Sequence, residues 1–161
     1  MLRARAGLRQ ELAGLERRVR RLARDDPVRG RLMTLPGVGA VVALTFRPVI
    51  GDPTRFSSSK KVGAWAGLTP SRHQSGERDV PGGIAKAGDV NLRRARCQAA
   101  TVMVNRGRPT WLRTWAAQVA RRRGRKRAVV ALARHIGSVL RRRWRDDAVV
   151  QIASLPGARA S

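Results

Sequence analysis

A serine near the middle of the chain stands among residues that could take part in phosphoryl transfer. Ser75 lies in the polar decapeptide PSRHQSGERD, residues 70–79, which also carries a histidine, two arginines and two acids. A serine hydroxyl is a weak nucleophile until a base or a metal ion activates it, and a phosphoryl group in transfer needs cations around it. His73 is a candidate base, and Arg72 and Arg78 are candidate cations. The decapeptide alone does not decide between a reactive serine and an ordinary residue of a solvated turn.

Few residues of the chain could hold a metal ion. Metal-dependent nucleases bind their ions with several converging carboxylates. Residues 27–145 contain four carboxylates: Asp52, Glu77, Asp79 and Asp89. Cys97 is the one cysteine, and His135 has no second ligand close to it in the sequence, so a zinc site is disfavoured. We therefore expect this chain to bind no metal and no cofactor of its own.

Charge is the strongest property of the composition. The 161 residues include 35 lysines and arginines, nearly all of them arginine, against 10 acids, which gives a formal net charge of +25. Such a surface attracts polyanions at long range, and nucleic acid is the expected partner. A coding bias toward arginine and alanine is the alternative, although bias alone would not remove acids from the middle of the chain.

The composition also indicates a protein that folds in water. At 42% hydrophobic residues the chain can bury a core. No stretch approaches the roughly 18 unbroken apolar residues of a membrane span, and the N-terminus lacks the apolar segment of a secretory signal. We expect a cytoplasmic, nucleoid-associated protein with no membrane partner.

A regular leucine pattern predicts a helix over residues 2–24. Apolar residues recur at alternating spacings of four and three, the a/d period of a coiled coil: Leu8, Leu12, Leu15, Val19 and Leu22. Pro27 should end the helix, because it disfavours helical geometry at the residue before it. Two heptads do not separate a dimerising coil from a helix packed on its own domain, but we expect a homo-oligomer formed through it. The chain then divides into an N-terminal helix (1–26), a helical domain (27–150) and a flexible tail (151–161).

The segment RLMTLPGVGAVVALTF, residues 31–46, has the pattern of a helix-hairpin-helix motif. A tight turn, PGVG, separates two stretches with helical spacing. Its glycines permit positive φ and close backbone approach, and the second helix would begin with free amides that suit a phosphate. Gly37 and Gly39 are therefore predicted phosphate contacts. A helical hairpin that serves only as core is the alternative.

The remainder of the chain predicts further helices and one extended segment. The serines at 57–59 precede a short helix with Val62, Trp65 and Ala66 facing inward, and Pro70 prevents this helix from continuing. The stretch LTPSRHQSGERDVPGG favours short extended segments around a turn, and three more helices follow it. The predicted fold is mainly α, a helix-hairpin-helix-containing helical domain with a short β-like turn segment.

Five sequence blocks resemble, in order and spacing, the C-terminal domain of the insertion-sequence-110 family of transposases. They are LMTLPGVGAVVALTF, GDPTRFSSSKKVGAWAGLTP, HQSG, IAKAGDVNLRR and GRKRAVVALAR. The resemblance implies a DNA recombinase that moves its element with a serine nucleophile and works with a structured guide RNA. The family's serine falls on Ser75. Its downstream lysine and arginine fall on Lys86 and Arg93, which adds both to the candidate phosphate contacts.

Two departures from the family accompany this resemblance. In the family, a RuvC-like domain with four acidic metal ligands precedes the long helix, whereas this chain begins inside that helix. We therefore expect a truncated transposase, with Mg²⁺ implied only through the absent domain. Pro48 is the second departure, because it should break a segment that the family keeps helical. Two functions compete: half of a serine transposase, inactive alone, or a non-catalytic module that binds nucleic acid or dimerises.

Overall fold

The computed structural model describes the backbone of residues 2–75 and 78–145, and the side chains of residues 3–71 and 83–145 within them. The flexible tail predicted for residues 151–161 lies outside the described residues. In the described part the chain is mainly helical with one pair of short strands, which confirms the mainly α prediction. No helix of this part is long and apolar enough to cross a membrane.

Seven helices and two strands follow one another in the described residues, and the longest helix comes first. The helices are α1 (Leu2–Arg24), α2 (Pro27–Leu32), α3 (Ala40–Ile50), α4 (Lys61–Trp65), α5 (Val90–Arg106), α6 (Trp111–Arg123) and α7 (Arg125–Arg145), with a 3₁₀ turn at Pro53–Arg55. The strands are β1 (Pro70–Ser75) and β2 (Arg78–Ile84), which pair antiparallel. The N-terminal helix has the bounds that the leucine pattern predicts.

The core forms where α5 and α6 pack on α7 and where α3 lies against α5. Apolar side chains recur every three or four residues along these helices, so each helix presents one apolar stripe to the others. Five helices contribute large buried apolar residues to this core, among them Leu32, Phe46, Leu92, Met103, Leu112, Leu132 and Ile136. Trp111, Trp115 and Trp144 are half-buried and pack against this core.

The short helix α4 buries only one of its sides. Val62 and Ala66, four residues apart, are fully buried, as the sequence predicts. The prediction that Trp65 also faces inward is wrong, because this residue is 43% exposed. Neighbouring positions on a helix point about 100° apart, so Trp65 turns away from the core that Ala66 enters. The guanidinium of Arg55 lies over the Trp65 ring instead, 4.5 Å from its centroid.

The long helix α1 ends where an aspartate caps the next helix. The Asp26 carboxylate accepts hydrogen bonds from two backbone amides of α2, at 2.9 and 3.4 Å, and Pro27 takes the first position of α2. Along α1, Ala23 is buried and Val19 is half-buried. The rest of the leucine stripe is exposed: Leu8, Leu12, Leu15 and Leu22. The domain thus covers little of the stripe, and self-association through it stays a prediction.

The turn between α2 and α3 uses its two glycines differently. Gly37 has a φ of +80°, and a Cβ there would lie 2.8 Å from the carbonyl oxygen of Ala99 on α5. Gly39 is extended, with φ −93° and ψ −177°, and a Cβ there would meet nothing within 4 Å. The prediction that both glycines serve positive φ and close approach is therefore right for Gly37 and wrong for Gly39.

Pro48 does not break α3, contrary to the sequence prediction. It lies inside the helix, which continues to Ile50 and ends at Gly51, where φ is +69°. A proline inside a helix removes one hydrogen bond and crowds the carbonyl one turn earlier. The helix continues because Pro48 is exposed and close to the helix end, while Phe46 and Ile50 on either side are fully buried in the core.

Candidate functional site

Ser75 ends β1 and pairs with Arg78, the first residue of β2. The antiparallel register runs from this pair to Pro70 opposite Ile84. Ser75 therefore lies at the end of the strand pair that is farthest, along the strands, from the segments joining it to α4 and α5. The side chains of Ser75, Arg72 and Arg78 lie outside the described residues, and their predicted roles remain predictions.

The root of the strand pair is the place where residues 65–69 and 85–88 meet. Two backbone hydrogen bonds between these segments measure 2.8 and 3.1 Å. Gly67 has a φ of +63° and Gly88 a φ of +106°, and a Cβ on either would overlap a carbonyl oxygen of the opposite segment. Glycine alone permits both the conformation and the approach. The strand pair is thus held to the helices by direct backbone contact.

The two cations that the resemblance singles out meet at this root. Nη1 of Arg93 donates to the carbonyl oxygen of Lys86 at 3.0 Å and to that of Ala66 at 3.2 Å, so Arg93 ties both segments of the root to α5. Lys86 has a φ of +54°, a conformation that is unusual for a residue with a Cβ. Its side chain is exposed. Arg93 thus has a backbone role beside its predicted phosphate contact, and Lys86 presents its charge to solvent.

The turn between α2 and α3 that carries Gly37 and Gly39 (the glycine turn) contacts α5 at a different place from the root. Gly37 packs on Ala99 and Met103, whereas Arg93 lies in the first turn of α5. At 1.5 Å of rise per residue, Arg93 and Ala99 are about 9 Å apart along the helix axis. The predicted phosphate contacts that the structure describes therefore form two groups along one helix and not one cluster.

The glycine turn also borders a groove of about 820 Å³. One wall of this groove comes from α1, with Leu12 and Leu15, and Arg106 and Arg108 line it near the end of α5. Gly39 lines the groove as well and is exposed. The groove thus combines an apolar wall with basic residues beside the predicted phosphate contacts.

Among the side chains that the structure describes, three arginines are buried, contrary to what their charge would suggest: Arg96, Arg141 and Arg143. Arg96 is fully buried, and its Nε and Nη2 donate to the carbonyl oxygen of Ala133 at 3.0 and 2.9 Å. Its Nη1 donates to the carbonyl oxygen of Val62 at 3.1 Å. Burial lowers the pKa of Arg96 to about 10, so the guanidinium stays charged at neutral pH. The available signal was its position, four residues after Leu92 on the apolar stripe of α5.

In the described residues, no three histidine, cysteine or carboxylate side chains come together as a metal site would need. Two of the four carboxylates in residues 27–145 act as caps, as Asp26 does for α2. Asp52 accepts hydrogen bonds from the side chain and the amide of Thr54, which lower the pKa of Asp52. Asp89 accepts a hydrogen bond from the amide of Leu92 at 2.6 Å and caps α5.

The sequence of the chain matches a known family of proteins. Residues 29–116 match the family model described as "Transposase IS116/IS110/IS902 family". The chain is 35% identical over 97 residues to the transposase for insertion sequence element IS1328 of Yersinia enterocolitica, which covers 60% of this chain and 29% of the relative. It is 33% identical over 126 residues to the transposase for insertion sequence element IS1111A of Coxiella burnetii, covering 77% of this chain and 35% of the relative.

A relative that is not named as a transposase matches as well. The pilin gene-inverting protein of Moraxella lacunata is 32% identical over 107 residues, which are 65% of this chain and 33% of the relative. The chain therefore spans about a third of the length of the curated relatives that it matches.

Proposed function

Because the chain belongs to the IS116/IS110/IS902 family of transposases, we propose that it is the serine-bearing, DNA-binding part of a transposase or recombinase. The names of its relatives refer to insertion sequence elements and to the inversion of a pilin gene. Transposition and inversion both require DNA strands to be cut and rejoined. One observation carries the proposal: Ser75 ends a strand pair whose root holds Lys86 and Arg93. The chain alone would be inactive, and a structured guide RNA would direct the assembled enzyme.

The proposed reaction is attack of the Ser75 Oγ on a DNA phosphodiester. The bond from Oγ to phosphorus forms, the bond from phosphorus to one sugar oxygen breaks, and that oxygen leaves as a hydroxyl with a proton. The serine proton passes to a base, for which His73 is the candidate within this chain. Cations around the phosphate lower the energy of the charged transition state. Lys86, Arg72 and Arg78 belong to the strand pair or its root and are proposed for this role.

Mg²⁺ is implied for the family, but the described residues of this chain do not fit it. Mg²⁺ binds through carboxylates and water in an octahedral arrangement. Asp52 and Asp89 already accept hydrogen bonds as caps, and they belong to no cluster of ligands in the described residues. We therefore assign no step to a metal held by this chain, and place Mg²⁺ with a RuvC-like domain of the assembled enzyme.

DNA contact is proposed at the two groups along α5. At the root, the exposed ammonium group of Lys86 would meet a phosphate. In the groove, Arg106 and Arg108 would do so beside Gly39 and the first amides of α3. A non-catalytic module that binds DNA or dimerises is the second candidate. The exposed leucine stripe of α1 favours this second candidate, because an apolar helix face can hold two copies together without any catalytic residue.

A covalent trapping experiment tests the catalytic proposal. The chain is mixed with a separately produced RuvC-like domain, guide RNA, Mg²⁺ and target DNA, and the products are separated under denaturing conditions. We expect a DNA–protein adduct that disappears in Ser75→Ala. Ser71→Ala is the matched control, because Ser71 lies on the same strand and its Oγ donates to the carbonyl oxygen of Gly83 at 3.0 Å. This control should still form the adduct.

Two results would contradict the catalytic proposal. Adducts that persist in Ser75→Ala and map to another residue would assign the nucleophile elsewhere. An assembled mixture that binds target DNA but yields no adduct with any variant would favour the non-catalytic module.

A further inference from the structure

Trp65, Arg55 and Phe56 form an aromatic and basic surface beside the root. The guanidinium carbon of Arg55 lies 4.5 Å from the centroid of the Trp65 ring and 5.3 Å from that of Phe56. The two rings meet edge to face at 5.9 Å. Phe56 is buried, whereas Arg55 and Trp65 are exposed. The buried phenylalanine therefore supports a tryptophan–arginine stack that faces solvent.

Packing does not account for the exposure of this tryptophan. The other tryptophans of the described residues, Trp111, Trp115 and Trp144, are half-buried on the core. Trp65 is 43% exposed and borders a shallow cavity of about 500 Å³, whose lining includes Val49 and the root. A large exposed aromatic beside a cavity is typical of binding surfaces.

The charge around the cavity suits a nucleotide. Lys61 is exposed and precedes Trp65 by one helical turn, so the two lie on the same face of α4. Lys86 is exposed and directly precedes Ala87, which lines the cavity. Asp89 is the carboxylate in the lining, and its Oδ1 accepts a hydrogen bond from α5. Two exposed lysines thus lie close in sequence to residues of the aromatic surface and the cavity. Basic and aromatic residues together are the combination that binds single-stranded nucleic acid.

We propose that Trp65 and Arg55 bind an unpaired DNA base by stacking, while Lys61 and Lys86 contact the adjoining phosphates. Aromatic rings and guanidinium planes both stack on bases. The proposal rests on the proposed function, because strand exchange exposes unpaired bases. Trp65 itself belongs to the root of the strand pair that carries Ser75, and its carbonyl oxygen touches Gly88. The stack would hold an extruded base next to the strand pair that is proposed to cut the DNA.

The test measures the affinity of the full chain for a labelled single strand of 15 thymidines and for a blunt duplex of equal length. Trp65→Ala should weaken single-strand binding by roughly tenfold or more and duplex binding by less than about twofold. Trp65→Phe should keep most of the affinity, because a smaller ring still stacks. Equal losses on both DNAs, or no loss on the single strand, would overturn the proposal.

A second probe does not depend on how the variants fold. An abasic strand of 15 units keeps the phosphates and lacks the bases, so the parent chain should bind it roughly tenfold or more weakly than the thymidine strand. Parent binding that is equally tight to both strands would show that no base is stacked. Tighter, Trp65-dependent binding to a uridine strand would replace DNA by RNA as the ligand. Binding of the thymidine strand requires no adduct, so a failed adduct experiment would leave this site standing.

Discussion

The Arg96 guanidinium occupies the space that a side chain on residue 137 would need. Gly137 lies in α7, and a Cβ there would overlap Nη2 of Arg96. Arg96 cannot swing away at low cost, because three of its nitrogens donate to backbone carbonyls of α7 and to that of Val62. A buried arginine and a glycine thus determine together how closely α5 approaches α7.

Gly137→Ala should therefore destabilise the domain. In an ordinary helix interior alanine is more stable than glycine by about 0.5–1 kcal/mol, but here the methyl would displace a buried, hydrogen-bonded charge. We expect a loss of about 2 kcal/mol or more in the free energy of unfolding, measured with urea. Gly63→Ala is the control, because its Cβ would meet the nearest atom, Cγ of Arg134, at an ordinary 3.8 Å. Equal stability of the two variants would contradict the close packing of Arg96 against Gly137.

The two glycines of the turn before α3 should respond differently to alanine. Gly37→Ala places a Cβ at positive φ, 2.8 Å from the carbonyl oxygen of Ala99, and should cost about 1–3 kcal/mol. Gly39→Ala meets no atom within 4 Å and should change the melting temperature little. If Gly39→Ala weakens DNA binding without loss of stability, its predicted phosphate contact is supported. Equal melting temperatures for the two variants would contradict the geometry of the turn.

The stability of the domain should fall as the pH drops below about 6.5, the usual pKa of histidine. His135 lies between Trp111 and Trp115, with ring centroids 5.1 and 5.2 Å away. Burial, with a smaller contribution from Arg142, lowers the pKa of His135. The unfolded chain then binds the proton more readily, so the stability from neutral His135 is present above that pH and is lost below it.

Urea unfolding of the parent and of His135→Gln between pH 7.5 and pH 5 measures this effect. The variant should show a flatter dependence of unfolding free energy on pH. A slope that His135→Gln leaves unchanged would assign the effect to another group.

Self-association should depend on the leucine stripe of α1. Leu8 and Leu22 are 73% and 59% exposed, and neither lines the groove beside Gly37. Leu8→Gln combined with Leu22→Gln should therefore reduce the mass measured by light scattering without changing the groove. Val90→Gln is the control, since Val90 is 44% exposed on α5 and does not line the groove. An unchanged mass in the double variant would show that the stripe does not hold copies together.

Substitutions of Lys86 and Arg93 should have different effects, the first on DNA affinity and the second on the stability of the domain. Lys86→Gln removes an exposed charge, so the log–log dependence of DNA affinity on salt should lose about 0.9 in slope while the melting temperature stays unchanged. Arg93→Gln removes two hydrogen bonds to backbone carbonyls of the root and should lower the melting temperature. If Arg93→Gln instead reduces the salt slope of DNA binding and leaves the melting temperature unchanged, the result would contradict the structural role and would indicate that Arg93 contacts a phosphate.

Local signals made much of the fold predictable. The leucine period and the Asp26–Pro27 pair give the bounds of α1, and Pro70 separates a helix from extended segments. The orientation of Trp65 was not predictable, because one apolar residue on a helix of five residues fits either side. The burial of Arg96 was hidden by its charge, since arginine is rarely buried without a partner. Backbone carbonyls from distant segments stabilise it, and sequence spacing does not reveal them.

The candidate site was less predictable than the fold. The resemblance names Lys86 and Arg93, but sequence order does not show that Arg93 donates to the carbonyl of Lys86 across the root. The difference between Gly37 and Gly39 also has a tertiary origin. Only Gly37 faces the backbone of α5, which is about 60 residues later in the chain. The role of Arg93 at the root and the difference between Gly37 and Gly39 both depend on contacts between segments that are distant in the sequence.

Reagents that modify lysine amines and reagents that modify arginine guanidinium groups should reach different parts of this protein. All four lysines are exposed: Lys60, Lys61, Lys86 and Lys126. Acetylation would thus remove surface charge and leave the helices folded. Arg96 and Arg141 are buried and donate to backbone carbonyls from other segments, so a glyoxal reagent reaches them only in molecules that open. The rate at which these two arginines are modified would therefore report how often the helical core opens.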